Sequence, residues 1–223
     1  MTGKTHEKIG FLTPILLTSI YCVKQKTGIN FLDIALLTAF STFGSTLPDI
    51  DQTQSKSGRK LPIISYGIKL VNKISKKLKI KRIIQASGHR GITHSFLVWF
   101  LLFVLFVTCN QNFHFVNTIV YSVYGLFLGV GTHLLLDMLN PTGIPLFAPV
   151  SYINFHILKI RTDSKAEKNL KYILILFMLG FIALNISKLI TLNVIPSTIS
   201  ILDSFNIKSI IENTTDKIKL FLK

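Results

Sequence analysis

The chain alternates long apolar runs with short polar segments. Ile9–Val23 and Ile34–Pro48 carry no charged side chain, and Gly91–Leu136 contains no Asp, Glu, Lys or Arg at all. Tyr172–Ser187 is the last long apolar block, continuing past Lys188 to Ile195. A helix that crosses a bilayer needs about 20 mostly apolar residues, with about 17–25 as the working range. Gly91–Leu136 is long enough for two such helices, with a break at Asn110-Gln111-Asn112, and Tyr172–Ile195 is long enough for one. The two early runs are shorter and on length alone read as buried core helices. Counted with the longer runs, they predict an all-α fold, an integral membrane helical bundle of four to five spans. Residues 1–160 form the main membrane domain, and 161–223 a C-terminal membrane helix with a polar tail.

Composition agrees with that pattern. The 223 residues include 25 Lys+Arg against 10 Asp+Glu, a formal net charge of +15, yet only 16% are charged and 49% are hydrophobic. Ordinary soluble domains carry about 25% charged residues. With a mean hydropathy of +0.50, the few charges must be concentrated in particular segments. This excludes intrinsic disorder and disfavours a plain soluble enzyme. Cys22 and Cys109 lie inside apolar runs and provide neither zinc-ribbon spacing nor a disulfide framework. No small-x-small cleavage site follows the first apolar run, which therefore reads as a retained helix rather than a signal peptide.

The basic residues set an orientation. Lys56, Arg59, Lys60, Lys69, Lys73, Lys76, Lys77, Lys79, Lys81, Arg82 and Arg90 lie between Gln52 and Gly91 with no acid among them. Lys159, Arg161, Lys165, Lys168 and Lys171 precede the last run, while the Asn110 loop is uncharged. The positive-inside rule puts both basic segments in the cytoplasm and the Asn110 loop outside. The N-terminus then lies inside and the C-terminal tail outside, with Lys24 and Lys26 against the rule. Within the basic loop, Ile64, Ile68, Val71, Ile74 and Leu78 recur at helical spacing, with Lys69, Lys73, Lys76 and Lys77 between them. A cationic amphipathic helix of this kind lies on an anionic lipid surface. With one aromatic residue, Tyr66, and no nucleic-acid motif, the expected partner is membrane lipid and not nucleic acid.

The candidate chemistry sits at the ends of the apolar runs. His6 precedes the first, and Asp49 and Asp51 end the second in Leu47-Pro48-Asp49-Ile50-Asp51. His89 and His94 open the third in Gly88-His89-Arg90-Gly91-Ile92-Thr93-His94-Ser95, and His133 and Asp137 lie near the end of the fourth. Alternating spans bring all seven to one membrane level on the cytoplasmic side, although the topology rests on Lys and Arg alone. His133 and Asp137 are four apart and share a helix face. Ionisable groups inside apolar sequence are costly and face a cavity or a partner. Imidazoles mixed with carboxylates suit a divalent metal, zinc or manganese. Seven ligand candidates exceed the needs of one tetrahedral ion and suit two, with Asp49 or Asp51 bridging or serving as general base. Paired ions activate water and stabilise both oxygens of a phosphoryl displacement. Arg90 would stabilise charge on the phosphoryl group, and Thr93 and Ser95 would orient the neighbouring imidazoles. His114, His156 and Glu7 read as residues outside the site.

These same motifs carry a resemblance. His6, Leu-Pro-Asp49-Ile-Asp51, Gly-His89-Arg90-Gly-Ile-Thr93-His94-Ser95 and the stretch Gly131-Thr132-His133 through Asp137, Pro141, Gly143 and Pro145 to Pro149 occur in order. Over residues 1–160 the chain resembles the LexA-regulated, membrane-bound metal-dependent hydrolases of bacterial inner membranes. That resemblance implies metal-dependent hydrolysis, and its regulatory label implies induction by DNA damage. A looser similarity runs to zinc-dependent phospholipase C enzymes, which use His-x-x-x-Asp ligand pairs; His133 and Asp137 match that pairing. It implies a phosphodiester or phosphomonoester substrate, in particular of a lipid. The competing readings are a non-catalytic membrane protein with a structural metal site, and a transporter. The transporter reading is weakened by ligands at one membrane face rather than at the midplane.

Overall fold

The computed structural model describes residues 1–88, 90–112 and 117–191. Among these residues the regular elements are all helical, eight α-helices and two short 3-10 turns. The first apolar run becomes α1 (Gly3–Gln25), which begins inside the polar N-terminus and ends where Lys26 turns left-handed. The second becomes α2 (Phe31–Gly44), started by the Asn30 side chain, which accepts the Leu32 amide at 3.1 Å. Leu47–Asp51 forms a short 3-10 turn with Pro48 near its start, where proline's missing N–H costs nothing. The basic loop folds as α3 (Lys56–Lys60), α4 (Pro62–Lys77) and α5 (Lys81–Ala86). The long uncharged stretch becomes α6 (Phe96–Asn112) and α7 (Asn117–Asp137), and the last run becomes α8 (Lys165–Thr191). The tail predicted to follow it, from residue 192 on, lies outside the described residues.

Two helices, α7 and α8, are long and apolar enough to cross a membrane by length and composition; α2 and α6 are shorter apolar helices. α6 has 17 residues and runs through the polar Asn110-Gln111-Asn112 that the sequence marks as the break, ending at Asn112. α1 has the length, at 23 residues, but its first turns carry Lys4, Glu7 and Lys8. Much of the outer surface is apolar. Ile173, Leu176, Phe177 and Leu184 of α8 are more than half exposed, as is Leu101 of α6. A greasy exterior on this scale is what a hydrocarbon surround accepts and water does not.

The centre is the pair α2 and α7, the most extensive helix contact, with α1 and α6 flanking and α8 packed along α1. Close approach depends on a lack of side chain at Gly129. A Cβ there would meet the Ser41 carbonyl oxygen at 2.2 Å and the Ser45 amide nitrogen at 2.7 Å. Ser41 also donates to the Gly10 carbonyl at 2.7 Å, tying α1 to α2. Trp99 of α6 donates to the Phe127 carbonyl of α7 at 3.1 Å. α8 is fixed to the start of α1 by one buried acid: Glu167 accepts from the Thr2 amide at 2.7 Å and the Thr5 hydroxyl at 3.1 Å.

The α2–α7 seam sets a testable stability term. Gly129→Ala is expected to destabilise the protein by about 1–3 kcal/mol through overpacking, read as a lowered unfolding midpoint in detergent.

Candidate metal centre

Each helix places its polar residue at the same end of the bundle. His6 sits in the first turns of α1, Asp49 and Asp51 in the turn after α2, His94 in the turn before α6, and His133 and Asp137 in the last turn and a half of α7. His6, His94, His133 and Asp137 are all buried, and Asp49 retains 23% side-chain exposure. His89 lies outside the described residues.

Asp137 is the hub. Its Oδ1 lies 3.2 Å from His6 Nε2, 3.0 Å from the Met1 amine and 2.9 Å from Asn140 Nδ2. Its Oδ2 lies 3.1 Å from Arg90 Nη2, 3.7 Å from His133 Nε2 and 3.8 Å from His94 Nε2. Asp49 Oδ1 approaches from the other side, 3.5 Å from His94 Nε2 and 3.8 Å from His133 Nε2. The rings of His6 and His133 stack at 3.9 Å. The two oxygens of Asp137 therefore face different imidazoles. Asp51 instead accepts the Arg90 backbone amide at 3.0 Å.

The donor set fits a divalent cation. His133 Nδ1 lies 2.7 Å from the Ser45 carbonyl oxygen. A carbonyl only accepts, so Nδ1 carries the proton and a neutral ring turns an unprotonated Nε2 toward Asp49 and Asp137. The nitrogens His133 Nε2 and His94 Nε2 face each other at 3.2 Å. Either a proton on His94 Nε2 or a cation between the two nitrogens satisfies this contact. Donors arranged tetrahedrally about 2.0–2.1 Å from zinc stand about 3.4 Å from each other. The separations of 3.2, 3.5, 3.7 and 3.8 Å bracket that value. Among the described residues, two three-residue groups have ligand atoms mutually within 4.8 Å: His6, His133 and Asp137, and Asp49, His94 and His133.

Outer contacts hold the donors. The Thr93 hydroxyl meets His94 Nδ1 at 3.1 Å, while Ser95 turns its hydroxyl to the Ile92 carbonyl at 2.7 Å. Thr93 thus has the orienting position expected of it, and Ser95 shapes the turn instead. Arg90 adopts a left-handed φ of 57°, uncommon for a residue with a side chain, which lets its amide face Asp51 and its guanidinium face Asp137. Arg90 also bonds Thr142, and its Nε is buried with no acceptor among the described residues. Three participants escaped the sequence reading: Asn140, the Met1 amine and the Ser45 carbonyl. Only Asn140 leaves a trace there, three residues after Asp137. Glu7, read as outside the site, pairs with Lys56 at the surface.

A helical bundle with apolar outer faces and a buried His/Asp cluster at one end defines a membrane protein with an internal polar centre. The chain belongs to the YdjM inner membrane protein family, whose pattern matches residues 1–194. It is 34% identical over 173 residues to the "Uncharacterized protein YvsG" of Bacillus subtilis (strain 168), covering 75% of this chain and 86% of that protein. It is 37% identical over 103 residues to the "Inner membrane protein YdjM" of Escherichia coli (strain K12) and to that of Shigella flexneri, covering 46% of this chain and 44% of each relative. The match thus spans less than half the length of those two proteins. No solved structure matches the chain.

Burial alone would raise the Asp49 carboxyl, but the hydrogen bond with His94 leads the opposing effects that hold the group at about 2, below its ordinary 3.8. A lowered pKa means stability that is present above pH 3.8 and lost as pH falls through about 2. Acid unfolding followed by fluorescence is expected to show that loss in the wild type and a flatter acid limb in Asp49→Asn.

Proposed function

We propose that the chain is a multi-pass, metal-dependent hydrolase of phosphoesters with its polar centre on the cytoplasmic side of the inner membrane. The observation that carries this reading is the convergence of three imidazole Nε2 atoms and two carboxylates at ligand-like separations in a buried setting. His6, Asp49, His94, His133 and Asp137 would hold the ion or ions, with His89 assigned to them by sequence alone. A bound zinc or manganese ion, single or paired, would polarise a phosphoryl oxygen and lower the pKa of water. Asp51 would accept the proton from that water. Arg90 would offset charge building on the phosphoryl oxygens, with Asp137 and Thr142 fixing its plane. The cytoplasmic orientation follows from the Lys and Arg distribution.

A structural metal staple is the second reading, favoured by the full burial of His94 and His133. Structural sites are closed, whereas catalytic ones keep a position open for water. The partial exposure of Asp49 supports the catalytic reading, because it leaves one side of the cluster reachable.

α4 supports a lipid substrate. It turns Ser65 and Ser75 inward and leaves Ile63, Ile64, Tyr66 and Leu70 more than half exposed, with Lys69, Lys73, Lys76 and Lys77 also outward. Its apolar face therefore points away from the protein, as a helix resting on an anionic leaflet requires.

Purified wild type is expected to hold about one or two equivalents of zinc or manganese per chain, and His94→Ala and Asp137→Ala close to none. A wild type without stoichiometric metal would remove the hydrolase reading; metal without phosphoesterase activity would favour the staple. Replacing Lys69, Lys73, Lys76 and Lys77 by Gln is expected to lower turnover in anionic bilayers about tenfold and leave a soluble aryl phosphate unaffected.

A further inference from the structure

Two hollows are walled by one loop, and the first of them is lined by Arg90 of the polar centre. The first is a cavity of about 640 Å³ lined in part by Gln85, Arg90, Thr142, Tyr152 and Asn154. The second is a groove of about 300 Å³ lined by Phe96, Leu97 and Phe100 of α6 and by the loop from Leu146 to Val150. Pro145 lines the cavity and its neighbour Leu146 lines the groove, so consecutive residues of one loop serve both. Gly143 makes the loop's turn with φ +59°, where a Cβ would strike the Phe155 carbonyl oxygen at 2.3 Å. Ile144 and Phe155 then pair through backbone hydrogen bonds of 3.0 and 2.8 Å, which brings Tyr152 and Asn154 back over the cavity.

The chemistry of the two hollows is opposite. The cavity offers one guanidinium and several uncharged hydrogen-bonding side chains, with no carboxylate among the described residues that line it. A quaternary ammonium head would want an acid or an aromatic cage, and one Tyr does not make a cage. Phosphate with a hydroxyl-bearing head suits this lining, because Arg90 matches the anion and the neutral groups match hydroxyls. The size is that of an ordinary small-molecule site. The groove's described lining is entirely apolar and has room for part of one acyl chain. Arg90 joins the cavity to the cluster, since its Nη2 lies 3.1 Å from Asp137 Oδ2.

We propose that these hollows together bind one molecule, an anionic phospholipid with an uncharged polyol head, its phosphate against Arg90 and its acyl chain between α6 and the Leu146–Val150 loop. This deepens the hydrolase reading by naming its substrate class, and rests on it for turnover but not for binding. The nearness of an anion handle to an apolar groove commits the site to a lipid rather than to a soluble phosphate.

Trp99, the single tryptophan, gives a direct readout, because its ring lies 5.5 Å from that of Phe96 in the groove. The full chain in detergent is titrated with phosphatidylglycerol carrying brominated acyl chains, and in parallel with the matching phosphatidylcholine. Phosphatidylglycerol is expected to quench Trp99 at about tenfold lower concentration, the worth of one good hydrogen bond to a charged group. Phe100→Asp and Asn154→Ala should each weaken that quenching. Asn154 sits exposed in the loop, so its variant decides the matter if Phe100→Asp does not fold. Unlabelled phosphatidylglycerol should reverse the quenching and glycerol 3-phosphate should not. Equal quenching by both lipids with no effect of Asn154→Ala, or displacement by glycerol 3-phosphate, would overturn the proposal. A metal-dependent assay on a soluble aryl phosphate separates the two ideas: its failure removes the hydrolase reading and leaves selective lipid binding standing.

Discussion

A carboxylate buried at the end of an apolar bundle is the constraint around which this protein is arranged. Taking Asp137 out of water costs several kcal/mol unless positive charge and hydrogen bonds surround it. Both of its oxygens are accordingly met: the Met1 amine, His6 and Asn140 on one, Arg90 on the other, with His94 and His133 beyond. Those partners come from α1, from the turn before α6, and from α7 and the residues just after it. Each of these segments must start or stop at the level of Asp137, so the boundaries of several helices answer to a single side chain.

Packing then fixes the donors in orientation as well as in place. The absence of a side chain at Gly129 lets α7 lie against the backbone of α2. One turn further along α7, that closeness puts His133 Nδ1 within 2.7 Å of the Ser45 carbonyl. The carbonyl selects the tautomer, and the tautomer points Nε2 into the cluster. Helix packing and ligand chemistry are thus one feature here. A change in the seam at Gly129 would be transmitted to the imidazole without touching any polar residue.

The architecture was largely legible because apolar runs without charge have few alternatives to helices, and α1, α2, α6, α7 and α8 all fall on such runs. The cluster was legible for a related reason: His6, Asp49, His94, His133 and Asp137 stand out in surroundings where ionisable groups are costly. Backbone groups escape that logic. The Ser45 carbonyl and the Met1 amine carry no mark of their role in the residue type. Glu167 was missed because an acid among lysines reads as a surface residue, while its position between Thr2, Thr5 and the Asp163 amide is set by tertiary packing. Periodicity revealed α4 as amphipathic but could not say which face meets the protein. The buried serines settle that: its small polar stripe packs inward and its apolar side chains look out.

The Glu167 clamp bears on how the protein is made. Thr2 and Thr5 are made before Glu167, which follows after seven of the eight described helices. Until α8 is threaded beside α1, nothing on that helix anchors the segment carrying His6. The α1 end of the polar centre is thus held twice, by α2 through the Ser41 bond to Gly10 and by α8 through Glu167.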